Sequence, residues 1–183
     1  MTQNPAKTPA SSLLVPAGAH VLGNPEAPVT IVEFADLECP WCRDTAPVLH
    51  EAVERSEGQV RLVWRHFPLF SVHPHALTAA LAAEVAGASG LFWAMEQRLF
   101  AHQDRLTDAD LVEHAAAIGV PDPGSVVGEA AQTSADVVRR DYADGLAAGV
   151  EGTPTVFVNG MRCRGRITRD RLQDAVAQAL AAG

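Results

Sequence analysis

Val29-Thr30-Ile31-Val32-Glu33-Phe34-Ala35-Asp36-Leu37-Glu38-Cys39-Pro40-Trp41-Cys42 joins two signals in one stretch: an alternating, β-branched run and, directly after it, two cysteines spaced C-x-x-C. The period-two run predicts a strand. A strand ending at Asp36-Leu37-Glu38 places Cys39 at or beside the N-cap of the next helix. There, unpaired backbone N–H groups and the positive end of the helix dipole favour thiolate over thiol. Pro40 suits the first helical position, where no N–H is needed. Cysteines three apart share one turn and can close a small disulfide, whose opening and closing moves two electrons.

Composition narrows the class. At 183 residues, 48% apolar and 20% charged, the chain can build one sizeable core without disulfides. Three cysteines fit a redox pair plus one further thiol better than a secreted disulfide scaffold. A net charge of -8 argues against nucleic acid as a partner, and the short basic run Arg162-Cys163-Arg164-Gly165-Arg166 reads as a solvated face. Met1 to about Gly18, rich in Ala, Pro, Ser and Thr, reads as a flexible tail. Leu13-Leu14-Val15 is too short for the apolar part of a signal peptide, and no run is long enough for a membrane span. The chain as it stands therefore reads as cytoplasmic, or as periplasmic or otherwise extracytoplasmic if a signal or anchor has been removed.

The order of elements predicts an α/β domain. A tail at 1–19 precedes a first half at 20–72 that reads strand, helix, strand. Its parts are Val29 to Ala35, Cys39 to about Ser56 with a kink at Pro47, and Val60 to Phe67. Residues 73–149 are helical in pattern, with stripes at Phe92, Met95, Leu99 and Phe100, at Leu111, Ala115 and Ile118, and at Val138, Tyr142 and Leu146. Thr107 with Asp110 predicts a capping box, and Gly119 a helix end. Residues 150–183 read as a strand from Thr155 to Val158, a turn at Asn159-Gly160, a strand around Met161 to Arg164 and a helix capped by Thr168.

Glu33 stands six residues before Cys39 on an apolar strand. Burial there would raise its pKa and let it relay a proton for Cys42. Pro154, opening a later strand, reads from the residues alone as an ordinary trans turn. Trp41, inside the redox turn, is expected partly exposed on a docking surface, whereas Trp64 and Trp93 read as core. Cys163 reads as a buried strand cysteine. Zinc held by Cys39 and Cys42 with His66, His73 or His75 would need a second knuckle, which the sequence lacks, and no metal is expected.

Taken together, the C-x-x-C pair, the acid before it and the Thr-Pro dipeptide resemble the thioredoxin superfamily, specifically DsbA-like thiol:disulfide oxidoreductases. The resemblance runs through Gly23 to Phe34, His66-Phe67-Pro68-Leu69, the Ala-rich stretch His75 to Phe100 with Phe92-Trp93, and Gly152-Thr153-Pro154-Thr155-Val156-Phe157-Val158-Asn159-Gly160. It implies a thioredoxin-like mixed sheet flanked by helices, with an inserted helical subdomain. It further implies Cys39 as exposed nucleophile, Cys42 as buried resolving thiol, Glu33 as buried acid, and Pro154 in cis beside the pair. Pro40, Trp41 and Thr153 would contact the substrate. No cofactor beyond the Cys39-Cys42 disulfide is implied, and the partners would be protein or peptide thiols and a separate redox partner, the protein acting as a monomer. Trp41 stands where the family commonly has histidine, which bears on how oxidising the site is. Competing readings are a cytoplasmic disulfide reductase, a kappa-type glutathione transferase or isomerase, which typically has Ser where Cys39 stands, and a non-catalytic binding module.

Overall fold

A computed structural model describes residues 14–182. Its five-stranded sheet has the order β1-β3-β2-β4-β5. The apolar alternation places β2 (Val29–Ala35) at the centre, parallel to β3 (Val60–His66) with Ile31 opposite Leu62, and antiparallel to β4 (Thr155–Val158) with Glu33 opposite Val156. One edge strand, β1 (Val21–Gly23), runs antiparallel to β3. The other, β5 (Met161–Arg162), returns from β4 through Asn159 and Gly160, whose positive φ values of 44° and 82° make the expected tight turn. β5 is shorter than expected. Cys163 lies just past it, half-buried against the sheet and α7, and not within a strand.

Helix α1 (Pro40–Glu54) crosses from β2 to β3 and runs through Pro47, which removes one internal hydrogen bond without ending the helix. Between β3 and β4 stand α2 (Ala76–Ala88), α3 (Phe92–Ala101), α4 (Asp108–Ala117), the single turn α5 (Gly128–Ala131) and α6 (Ala135–Ala147). The capping box at Thr107 and Asp110 is present, and α4 closes at Ile118 before Gly119 at φ 85°. The last helix is α7 (Arg169–Ala182), with the Arg171 N–H donating to the Thr168 hydroxyl.

Alternation on β2 separates two cores. Val29 and Ile31 pack with Leu49 and Val53 of α1 and Leu172 of α7, and Ala35, farther along the same face, joins Cys39, Cys42, Met95 and Leu99. Val32 and Phe34 face the other way, onto Phe67, Val150 and Phe157. Part of the expected tail lies outside the described residues. From Leu14 the expectation is corrected, because the Leu14 side chain is buried in this second core and its carbonyl accepts from Arg65 Nη1 at 3.1 Å. The third helical stripe is also corrected: Leu146 is exposed, and α6 instead buries Val138, Asp141 and Gly145. A side chain at Gly145 would meet the Phe67 ring at 2.7 Å, so its absence lets α6 approach the sheet.

Two neighbouring residues at the end of β3 fasten this helical segment. Arg65 donates from Nε to Asp141 at 2.9 Å and from Nη2 to Asp144 at 2.6 Å, both on α6, while Asp141 also accepts the His66 backbone N–H at 3.0 Å. The His66 ring turns the other way. Its Nδ1 accepts from the Trp64 indole at 3.1 Å, which leaves Nε2–H to donate to Glu84 of α2 at 2.9 Å. Glu84 also pairs with His20 at 2.9 Å. Burial works against the Glu84 charge, but hydrogen bonds from His20 and His66 prevail and hold its pKa at about 2.

Candidate active site

Cys39 is the N-cap of α1, in extended backbone conformation, with Pro40 following as the first helical residue. No side chain caps this helix end, and the Cys39 sulfur lies at the positive end of the helix dipole. The Cys39 pKa is lowered to about 6. A hydrogen bond from the Cys42 thiol does most, against burial, with smaller contributions from the Thr153 side chain and the backbone N–H groups of Cys42 and Trp41. Cys42 is driven the other way by burial, by its hydrogen bond to Cys39 and by the Glu33 and Cys39 charges. The Asp36 N–H, 3.5 Å from its sulfur, opposes these only weakly. The two thiols thus differ in acidity.

One expectation is corrected. Cys39 is not exposed: its relative exposure is 2%, against 0% for Cys42. Its sulfur lies under the loop before β4, within 3.5 Å of the Thr153 carbonyl, while Gln103 donates to the Leu37 and Cys39 carbonyls and closes the other side. Access runs through a groove beside it, lined by Trp41, Thr45, Thr153, Pro154, Arg166 and Ile167. Trp41 is 56% exposed there, with the Arg166 guanidinium 5.4 Å from its ring centre. The Thr153-Pro154 bond is cis.

Glu33 is 1% exposed, and its pKa is pushed well above the carboxylate range by burial first, then by the charges of Glu96 and Cys39. Asp36, 2% exposed, organises the strand-to-helix turn by accepting from the Glu38 N–H, the Leu69 N–H and the His73 ring. Burial depresses the His73 pKa, but the Asp36 bond and charge outweigh it and raise it, with the Cys39 charge adding to the same effect. Two of the three histidines considered for zinc are engaged elsewhere, His73 with Asp36 and His66 with Glu84. Among the described residues no group of three or more His, Cys, Asp or Glu is placed to hold a metal. Glu96 and His50 went unnoticed in the sequence. The available signal was a carboxylate within the apolar stripe Phe92, Met95, Leu99 and Phe100, and a histidine on the face of α1 that carries Cys42 and Ala46.

A family model described as Thioredoxin matches residues 16–178. The chain belongs to the thioredoxin family. Its fold is the DsbA-like thioredoxin fold shared with a thioredoxin-like oxidoreductase, with the cysteine pair at the head of α1. Among solved structures, a thioredoxin-like oxidoreductase from Silicibacter pomeroyi DSS-3 superposes with TM-score 0.81 at 28% identity, covering 94% of this chain and 98% of that one. Oxidised BdbD from Bacillus subtilis gives TM-score 0.81 at 24% identity, covering 90% and 94%; the catalytic domain of ScsC from Proteus mirabilis gives TM-score 0.81 at 20% identity, covering 93% and 94%. These two share the fold. Curated relatives include the Na(+)/H(+) antiporter NhaA 3 of Salinispora tropica, 43% identical over 162 residues, covering 88% of this chain but 25% of that protein. Another is NhaA 1 of Mycolicibacterium gilvum, 40% identical over 153 residues, covering 82% and 25%. The chain thus spans about a quarter of these relatives, whose name describes the whole proteins. Among the described residues no helix is long and apolar enough to cross a membrane.

Proposed function

We propose that the protein exchanges disulfides with substrate proteins through Cys39 and Cys42 and works as an oxidant of their thiols. The observation that carries this is the place of Cys39 as N-cap of α1, where its pKa is lowered to about 6 while that of Cys42 is pushed upward. A stabilised thiolate favours the reduced enzyme, and a favoured reduced form is a more oxidising disulfide. In the forward direction a substrate thiolate attacks the Cys39 sulfur of the Cys39–Cys42 disulfide. Cys42 leaves and takes a proton from Glu33, and a mixed disulfide remains on Cys39. The substrate's second thiolate then attacks its own sulfur in that bond, releasing oxidised substrate and the Cys39 thiolate. Trp41, Thr153 and Pro154 line the groove that receives the substrate chain, and Pro40 sets the helix start. No cofactor beyond the cysteine pair enters. Such a role belongs outside the cytoplasm, where disulfides persist.

Cys42→Ser should accumulate a mixed disulfide when mixed with a disulfide-bonded peptide, the Cys39 thiolate displacing one peptide thiolate, and Cys39→Ser should not, as read by mass spectrometry. Equal trapping by both would reverse or remove the assigned roles. Equilibration with glutathione buffers fixes the direction: a potential near that of thioredoxin, about -270 mV, would make the protein a reductant.

A further inference from the structure

Behind the cysteine pair, on the side away from the substrate groove, a second groove of about 590 Å³ opens between α1 and α3. Its walls are Ala46, Pro47, Phe100 and Ala101, and its floor holds His50 and Glu96. Glu96 is 1% exposed, and neither carboxylate oxygen accepts a hydrogen bond among the described residues. Oε1 faces His50 Nε2 at 3.3 Å. The His50 ring is fixed on two further sides, by Gln97 Nε2 at 3.3 Å from its Nδ1 and by the Trp93 ring edge-on at 5.6 Å. A buried carboxylate without hydrogen bonds costs free energy that a neutral side chain at the same place would not, so its retention calls for a function.

The placement supplies one. Cys42, Ala46 and His50 lie on one face of α1, each a turn from the next, and Glu96 comes toward that face from α3. Glu33 comes from β2, its Oε1 is likewise buried without a hydrogen bond among the described residues, and the Glu96 charge is among the causes that raise its pKa. The groups facing this region are therefore Glu33 from β2, His50 and Arg43 from α1 and Glu96 from α3, with Glu51 and Glu54 on the outer rim.

We propose that Glu96 and His50 form the solvent-side half of a proton path to Cys42, Glu33 being the half next to the sulfur. The inference rests on the thiol–disulfide exchange proposed above. When Cys42 attacks the Cys39 sulfur of a mixed disulfide, the Cys39–Cys42 bond forms and the bond to the substrate sulfur breaks. The substrate leaves as thiolate, and the Cys42 proton passes to the Glu33 carboxylate. Glu33 lies buried, and the proton leaves it through Glu96 and His50 into the groove. The reverse passage reloads Glu33 before Cys42 next departs as a leaving group. Glu96 and His50 touch neither sulfur nor substrate and act through Glu33.

The test mixes reduced protein with oxidised glutathione, quenches with acid at intervals, and separates formation of the glutathionyl intermediate from its resolution by mass spectrometry, across pH 5–9. The resolution rate is read against the Cys39 alkylation rate of the same variant. Glu96→Gln is expected to lower that ratio by about tenfold at pH 7 and to displace its pH profile. Glu96→Asp should restore most of the loss, and His50→Gln should lower the ratio less. A wild-type ratio and profile in both Glu96→Gln and His50→Gln, with Glu33→Gln slowed, would overturn the path and leave Glu33 discharging elsewhere. A wild-type protein that forms no glutathionyl intermediate would overturn the exchange function itself, so the two failures are distinguishable.

Discussion

Asp141→Ala should destabilise the protein by about 3–5 kcal/mol, because it removes the more deeply buried of the two carboxylates that hold a buried guanidinium. Arg65 is fully buried, its Nε donates to Asp141, and the second oxygen of the same carboxylate takes the His66 backbone N–H. One substitution therefore leaves a buried cation short of its counter-charge and a buried backbone donor without an acceptor. Each is costly separately. Asp144→Ala is the control: Asp144 bonds Arg65 at 2.6 Å but is 22% exposed, so water can replace it and the loss should be nearer 1 kcal/mol. Urea midpoints at constant slope measure both. A loss below about 1 kcal/mol for Asp141→Ala would mean that the remaining contacts of Arg65 suffice to hold it.

Thiolate absorbance at 240 nm in the reduced protein should rise with a midpoint near pH 6 for Cys39, with Cys42 silent until far higher pH. At pH 7 a thiol of pKa 6 is about nine-tenths ionised, whereas one at the ordinary 9.0 is about one-hundredth ionised. Intrinsic nucleophilicity falls as acidity rises, by roughly 15–30-fold over that interval, so as an attacking group Cys39 gains only severalfold. As a leaving group it gains throughout. The low pKa therefore acts mainly on release of oxidised substrate from the mixed disulfide, the step an oxidant needs. It also links to folding. Between about pH 6 and pH 9 the folded reduced protein carries the thiolate while the unfolded chain still binds the proton, so stability of the reduced form should climb with pH across that window. It should be lost as pH falls through 6. A midpoint near 9, or a flat stability profile, would remove the helix-terminus account.

What could be read from the chain was local. The strand at Val29–Ala35, the N-cap at Cys39 with Pro40, the capping box at Thr107 and the Asn159-Gly160 turn each depend on residues a few positions apart. The partly exposed Trp41 and the buried Glu33 followed from the same reasoning. What could not be read depended on the packing of distant segments. β1 is three residues long, too short for any period to register, and is held by pairing with β3. Arg65 looks like an ordinary polar strand position until Asp141, 76 residues on, is brought beside it. Glu96 and His50 sit 46 residues apart and meet only when α3 packs on α1. The burial of Cys39 escaped for the same reason, since the loop at Thr153 that covers it is 114 residues away.

The fastening at the end of β3 bears on how substrates are chosen. Arg65 grips α6 on one face of the sheet and His66 grips α2 on the other, so neither helix can swing outward without tearing the strand that lies against β2. Amide hydrogens of α2, α6 and β3 are therefore expected to exchange with solvent at one common opening energy, and separate, cheaper opening of the helices would contradict this. A body that breathes only as a whole has no jaw to close around an incoming chain. On the proposed exchange function, discrimination among substrates would then fall to the groove rim of Trp41, Arg166 and Thr153, and a single replacement there should change which thiol peptides are oxidised without loosening the fold.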